Sequence, residues 1–237
     1  MTGVSEGCLW IVGTPIGNLE DITRRALSLL NDATLILAED TRRTRALISH
    51  FDIRGKTVES LNQHNQQRKI PIIIGRLRQG ATVVLVSDSG MPCISDPGQK
   101  LVNACYENRI KVDIAPGPSA VTTAVAASGF HSPRILFLGF LPRGKRRRRL
   151  FREHGLELKR CSFVFFESPY RIIETLEDCE AILGNIDCFV AREMTKVHQE
   201  FLRGKLDGVI HSLKGREIKG EVTVVLSSGG EDSCRGS

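Results

Sequence analysis

Nowhere does the chain carry a C-x-x-C pair, and none of its six histidines has a His or Cys neighbour at ligand spacing. Those absences argue against a structural zinc site. The seven cysteines, at 8, 93, 105, 161, 179, 188 and 234, are odd in number and unpatterned. Such a set reads as reduced thiols rather than a disulfide frame. Long apolar runs are missing too. The longest is about "ILFLGFL" at 135–141, against the ~20 residues a membrane span needs. The N-terminus "MTGVSEGCLWIVG" has neither a basic n-region nor an apolar h-region, so no signal peptide is expected. These absences together predict a cytoplasmic protein with no membrane partner and no bound metal.

What is present is a globular composition, 41% hydrophobic over 237 residues with mean hydropathy -0.10, enough for one large core or two smaller ones. The formal charge is +6, and it is concentrated. Arg143, Lys145, Arg146, Arg147, Arg148 and Arg149 fall within one short run. One reading is a solvated face. The other is a polyanionic partner, because clustered cations gain affinity by releasing counterions from phosphates.

Strand-like apolar runs alternate with helical patterns. Strands are expected at 8–12, 34–40, 56–61, 82–88 and 110–116, with helices over 19–33, 41–51, 69–80, 98–108 and 117–129. Pro71 is expected in first helical position of the third helix. Such alternation implies βαβ units and an α/β fold, a parallel sheet with helices on both faces. Residues 8–133 are assigned to this N-terminal domain and 134–150, with the basic run, to a linker. A smaller C-terminal domain, 151–228, mixes helices with strands close enough to pair antiparallel, and 229–237 reads as a disordered tail.

Four specialised turns, "GTPIGN", "EDTRRT", "SDSGMP" and "PGPSA", all fall at carboxyl ends of the predicted parallel strands, where such sheets bind ligands. The loop "VSDSGMPCISDPG" (86–98) has glycines and prolines but no basic residue, and it carries Asp88 and Asp96. A tight structural turn explains it in part. A phosphate cradle is disfavoured by the missing lysine. S-adenosylmethionine, a cation without phosphate, suits it better, as one candidate among several adenosine-bearing ligands. "EDTRRT", "FFESPYR" and "VAREMTK" each end a strand with a carboxylate beside a cation, readable as an ion-paired cap or as part of a cleft site.

The blocks "LWIVGTPIGNLEDIT", "AEDTRRTRALISHF", "VSDSGMPCISDPG", "PGPSAVTTAVAASG", "GFLPRGKRRRR", "FVFFESPYRIIETLED", "VAREMTKVHQEFLRG" and "GEVTVV" follow in that order from residue 9 to about 226. Together they resemble the ribosomal RNA small subunit methyltransferase I family, a branch of the tetrapyrrole methylase superfamily. The resemblance implies two α/β domains holding S-adenosylmethionine between them, a homodimer, and methylation of a cytidine ribose 2′-hydroxyl in the decoding region of small-subunit ribosomal RNA. It places cofactor contacts on Thr14, Pro15 and Ile16, on Ser89, Gly90 and Met91, and on Ser119 and Ala120, with Glu167 and Ala191 from the second half. The family's usual "SDAGTP" stands here as "SDSGMP". A tetrapyrrole-precursor C-methyltransferase and a non-catalytic RNA-binding protein are the alternatives.

A ribose hydroxyl is a poor nucleophile, so its attack calls for a base or an orienting acceptor. Glu167, Glu193 and Asp40 are the candidates. Lys196 and Arg192 are candidates to stabilise oxyanion charge or grip phosphate. Residues 143–149 are the expected RNA contact.

Overall fold

The computed structural model describes residues 7–131 and 134–229. Residues 230–237, most of the expected tail, lie outside the described residues. The chain divides into two compact units, Met1–Ser119 and Ala120–Ser237.

The first unit is a five-stranded sheet of β1 (Cys8–Val12), β2 (Leu35–Ala38), β3 (Val58–Ser60), β4 (Thr82–Leu85) and β5 (Lys111–Ala115), in the order β3-β2-β4-β1-β5. Every pairing is parallel. Helices α1 (Arg24–Asp32), α2 (Thr41–His50), α3 (Gln66–Arg78) and α4 (Gln99–Glu107) cover it. Successive strand residues point to opposite faces. Leu37, Val83 and Leu85 therefore pack with Ile73, Leu77 and Leu101, while Ile36, Val84 and Val86 pack with Ala26, Leu30 and Ile48. Both faces are covered, which is why these strands read as unbroken apolar runs.

Pro71 is not in first helical position: α3 begins five residues earlier. The cause is a reciprocal asparagine turn. Asn65 Oδ1 accepts the Asn62 N–H at 2.9 Å, and Asn62 Oδ1 accepts those of His64 and Asn65 at 3.0 Å each. That turn starts the helix, and Pro71 sits inside it without a backbone donor.

The second unit is a mixed five-stranded sheet of β6 (Ile135–Phe140), β7 (Ser162–Glu167), β8 (Asp187–Arg192), β9 (Glu200–Lys205) and β10 (Val222–Ser227), ordered β6-β7-β10-β8-β9. Only β6 and β7 run parallel. Its helices are α5 (Ala120–Ser128), α6 (Lys145–His154), α7 (Ile172–Leu183) and α8 (Leu206–Leu213). Phe151, Phe163, Phe165, Leu176, Val190, Ile210 and Val224 form the centre of its core.

Two features differ from expectation. The stretch 134–150 is not a linker. It is strand β6 followed by the start of helix α6, because Leu136 and Leu138 pack on the core and Phe151 lies fully inside it. Helix α5, expected with the first domain, packs on β10 and β7, so the units divide after Ser119 rather than near 134.

Candidate functional site

Strand order decides where the first unit can bind. From β1 the chain crosses β4 to reach β2, and from β4 it crosses β1 to reach β5. The two connections leave adjacent strands in opposite directions and on opposite faces. The carboxyl ends of β1 and β4 are therefore the topological switch point, where open parallel sheets hold ligands. The turns "GTPIGN" and "SDSGMP" are the segments that end there.

These two turns are joined to each other. The Thr14 N–H donates to the Gly90 carbonyl at 2.9 Å and the Gly90 N–H to the Thr14 carbonyl at 3.1 Å. Thr14 is buried, and its hydroxyl lies 3.3 Å from the Ser87 carbonyl. Thr14 and Gly90 thus spend their backbone groups on the scaffold. The groups left for a ligand belong to the neighbours Pro15, Ile16, Ser89 and Met91. Ile16 is itself buried, and Met91 is half-buried.

A third turn closes on the first. A Cβ on Gly13 would lie 2.7 Å from the Gly117 Cα and 2.7 Å from the Met91 sulfur; one on Gly117 would lie 2.9 Å from the Gly13 backbone. The turns after β1 and β5 touch backbone to backbone, which only glycine allows. Gly13→Ala is expected to cost about 1–3 kcal/mol through forced separation of these turns, visible as a lower urea midpoint. An unchanged midpoint would mean the turns are free to part. Ser119 ends the first unit and Ala120 begins α5 in the second.

The loop 86–98 is wound tightly. Gly90, Cys93, Ser95 and Gly98 all have positive φ. For Cys93 and Ser95 that left-handed conformation is a local cost. The loop brings carboxylates together. Asp88 Oδ1 accepts the Asp40 N–H at 2.9 Å, tying the β4 turn to the β2 turn. Burial, then the charge of Glu39, pushes the Asp96 carboxyl up to about 6, with Asp88 adding to the effect and Ser87 opposing it. Burial followed by Asp88 raises Glu39 as well.

Asp96 has a pKa above its unfolded value, so its protonated form favours folding. That contribution is fully present below pH ~4 and is lost as pH rises through about 6. Asp96→Asn is therefore expected to stabilise the protein by about 1–2 kcal/mol at pH 7.5. The gain should vanish at pH 3.5. Equal gains at both pH values in urea melts would contradict the burial of this charge.

Asp40 is a helix cap. Its carboxylate accepts the Arg42 N–H at 2.8 Å and the Arg42 guanidinium at 3.1 and 2.7 Å. Arg42's side-chain and backbone bonds lower its pKa to about 2. A carboxylate so acidic is a poor proton acceptor at neutral pH.

In the second unit, the carboxyl ends of β6, β7 and β8 and the starts of β9 and β10 share one sheet edge. Glu167 lies there, buried, with every contact internal. Its Oε1 accepts the Ser168 N–H at 2.7 Å and pairs with Arg171 at 2.5 Å; its Oε2 accepts the Thr175 hydroxyl at 2.7 Å. Glu193 adopts φ +50°. Its carboxylate accepts Lys196 Nζ at 2.8 Å and the Glu221 N–H at 2.9 Å, fitting over Gly220, where any Cβ would meet it at 2.3 Å. Burial opposes its ionisation, but the Lys196 and Glu221 bonds outweigh that, and its pKa is lowered. Lys196 Nζ also donates to Glu221 at 3.2 Å. Arg192 pairs with Glu200 at 3.0 Å and donates to the Lys219 carbonyl at 3.2 Å. Ala191 is buried within β8. Glu167, Glu193, Lys196 and Arg192 thus share one edge, with both carboxylates engaged in holding cations.

The basic run is not one surface. Arg147 is fully buried: its Nε donates to Asp178 at 2.8 Å, Nη1 to the Thr175 hydroxyl at 3.0 Å and Nη2 to Glu174 at 2.8 Å, with a further Nη2 contact to Asp178. It is not available to a polyanion. Arg148 pairs with Asp178 at 2.7 Å and Arg149 with Glu153 at 2.7 Å. Arg143, Lys145 and Arg146 remain exposed, with no carboxylate partner among the described residues. No acidic residue occupies the first turn of α6. Placing cations there runs against the helix dipole, so the pattern is not a device for helix stability.

Sequence reasoning missed the partners: Asp178, Glu174 and Thr175 for Arg147, and Gly117 for Gly13. The spacing of Arg147 and Phe151, i to i+4 on one helical face, was the available signal. Among the described residues no three His, Cys, Asp or Glu side chains are grouped to hold a metal, and no helix is long and apolar enough to cross a membrane.

The pattern of the tetrapyrrole (corrin/porphyrin) methylases matches residues 8–210. Solved structures share this architecture at low identity. A cobalt precorrin-4 methyltransferase superposes with TM-score 0.70 at 17% identity, covering 94% of this chain and 95% of its own. A diphthine synthase superposes with TM-score 0.69 at 15% identity, covering 93% and 90%. The two-unit fold is shared with these structures, and the chain belongs to the tetrapyrrole methylase family. Within that family its relatives are more specific. The ribosomal RNA small subunit methyltransferase I of Thermotoga maritima is 53% identical over 93% of this chain and 98% of its own length. That of Halalkalibacterium halodurans is 45% identical over 95% of this chain and 78% of its own. The chain is a member of the ribosomal RNA small subunit methyltransferase I family.

Proposed function

We propose that the protein is an S-adenosylmethionine-dependent methyltransferase acting on the ribose 2′-hydroxyl of a cytidine in small-subunit ribosomal RNA. The observation that carries the reading is the first unit's switch point, a lysine-free cradle bordered by Glu39, Asp88 and Asp96, in a chain 53% identical to a ribosomal RNA small subunit methyltransferase I. Two features of the cradle support a cationic donor. The Gly13–Gly117 contact brings the turns after β1 and β5 together beside the β4 turn, and nearby carboxylates favour a cation and repel phosphate. Pro15, Ile16, Ser89, Met91 and Ser119 would hold it. Bound there, the donor supplies an electrophilic methyl group on a positively charged sulfur.

The chain's own residues supply positioning and charge. Lys196 Nζ carries three protons and has two engaged, by Glu193 and Glu221, leaving one for a substrate phosphate or a developing oxyanion. Glu193 fixes that ammonium, and Glu167 fixes Arg171; both are positioning carboxylates. Arg143, Lys145 and Arg146 supply the attraction for RNA.

The test is tritiated methyl transfer from S-adenosylmethionine to small ribosomal subunits, followed by mapping of the modified nucleoside. Label on a cytidine ribose is expected. Label on a base would overturn the hydroxyl assignment. Transfer to a tetrapyrrole precursor instead of subunits would overturn the RNA reading.

A further inference from the structure

We infer that Tyr170 is a base-stacking residue for single-stranded RNA, presented beside the unpaired cations of the α6 entrance; the inference rests on the reading that the substrate is RNA. Tyr170 is 93% exposed, more than any other aromatic residue described. A ring left so far in water forgoes burial worth about 2 kcal/mol, so its placement is not a packing device.

Its backbone is held firmly. The Arg171 N–H donates to the Ser168 carbonyl at 3.0 Å, closing the turn. The Arg171 guanidinium pairs with buried Glu167 at 2.5 Å and reaches the Leu141 carbonyl at 3.5 Å. That last contact puts the Tyr170 turn against the segment leading to Arg143, Lys145 and Arg146. Phe140, 64% exposed at the end of β6, lies on the same edge with its ring 5.3 Å from that of Phe166.

Cations without carboxylate partners among the described residues, beside an exposed aromatic ring on a hydrogen-bonded turn, match what unpaired RNA requires. Phosphates take the charges and an unstacked base takes the ring face. The charge complementarity commits the surface to a polyanion, and the ring commits it to one with bases. The positioning role of Glu167 serves this edge: through Arg171 it fixes the turn that carries the ring.

The experiment compares wild-type protein with Tyr170→Ala and Tyr170→Phe in binding small ribosomal subunits and a single-stranded RNA oligonucleotide across a salt series. Tyr170→Ala should weaken binding roughly 5- to 100-fold, with the log–log salt slope unchanged because stacking releases no counterions. Tyr170→Phe should stay within about twofold, since phenylalanine keeps the stacking face. Full affinity in Tyr170→Ala overturns the inference. So does a lowered salt slope, or a loss of affinity that tracks a changed oligomeric state, either of which would place the ring in another contact. If wild-type protein itself neither binds nor methylates subunits, the RNA reading fails; if it does both and Tyr170→Ala matches it, only the stacking role fails.

Discussion

Arg147→Ala is expected to destabilise the second unit by about 3–5 kcal/mol, the usual cost of removing one partner from a buried ion pair. For a unit of this size that corresponds to a melting temperature lower by on the order of 10–20 °C. The guanidinium is fully buried and bonds Asp178, Thr175 and Glu174 on α7. Its removal leaves Asp178, only 7% exposed, with Arg148 alone, and leaves the Thr175 hydroxyl without the donor that orients it towards Glu167. Thermal and urea melts check this. Pairing Arg147→Met with Asp178→Leu should recover much of the loss, because replacing a whole buried pair by apolar groups is often near neutral. A single Arg147→Ala that melts like the wild type would show that α6 and α7 are held by Phe151 and its neighbours alone.

That residue also shows where reading the sequence reached its limit. The turns at 13–18, 86–92 and 116–119 were legible because glycine and proline declare backbone geometry locally, and strand alternation fixed the first sheet's class. A run of cations declares only charge. Which of them turns inward depends on helical phase and on Asp178, 31 positions away, and neither is a property of the run. The same holds for Asp40, whose neighbour Arg42 makes it a cap, and for Glu167, whose partners close around it from α7 and its own turn. β6 coincides with the apolar run at 135–141, but as an edge strand with both ends exposed that leads straight into the basic run it read as part of a connector. Helix α5 is small-residue and apolar nearly all round, and nothing in such a helix says which sheet it will cover.

The division of the basic run carries the second large effect. Converting Arg143, Lys145 and Arg146 together to glutamine should lower the log–log salt slope for RNA by about 0.7 per lost phosphate contact, so by about 2 in all. At 0.1 M salt the same arithmetic gives roughly a hundredfold weaker binding. Arg148 and Arg149 already answer to Asp178 and Glu153, so their joint conversion to glutamine should change the slope by much less. Arg147 is left intact in both variants, keeping α6 in place, so the comparison reads charge rather than folding. Filter binding to small ribosomal subunits over a salt series measures both slopes. Equal slopes for the two variants would mean that phosphate competes successfully for the paired arginines, and that ion pairing within the run does not select which cations meet RNA. A flat response in both would move the polyanion contact away from α6 altogether, to the Lys196 and Arg192 edge.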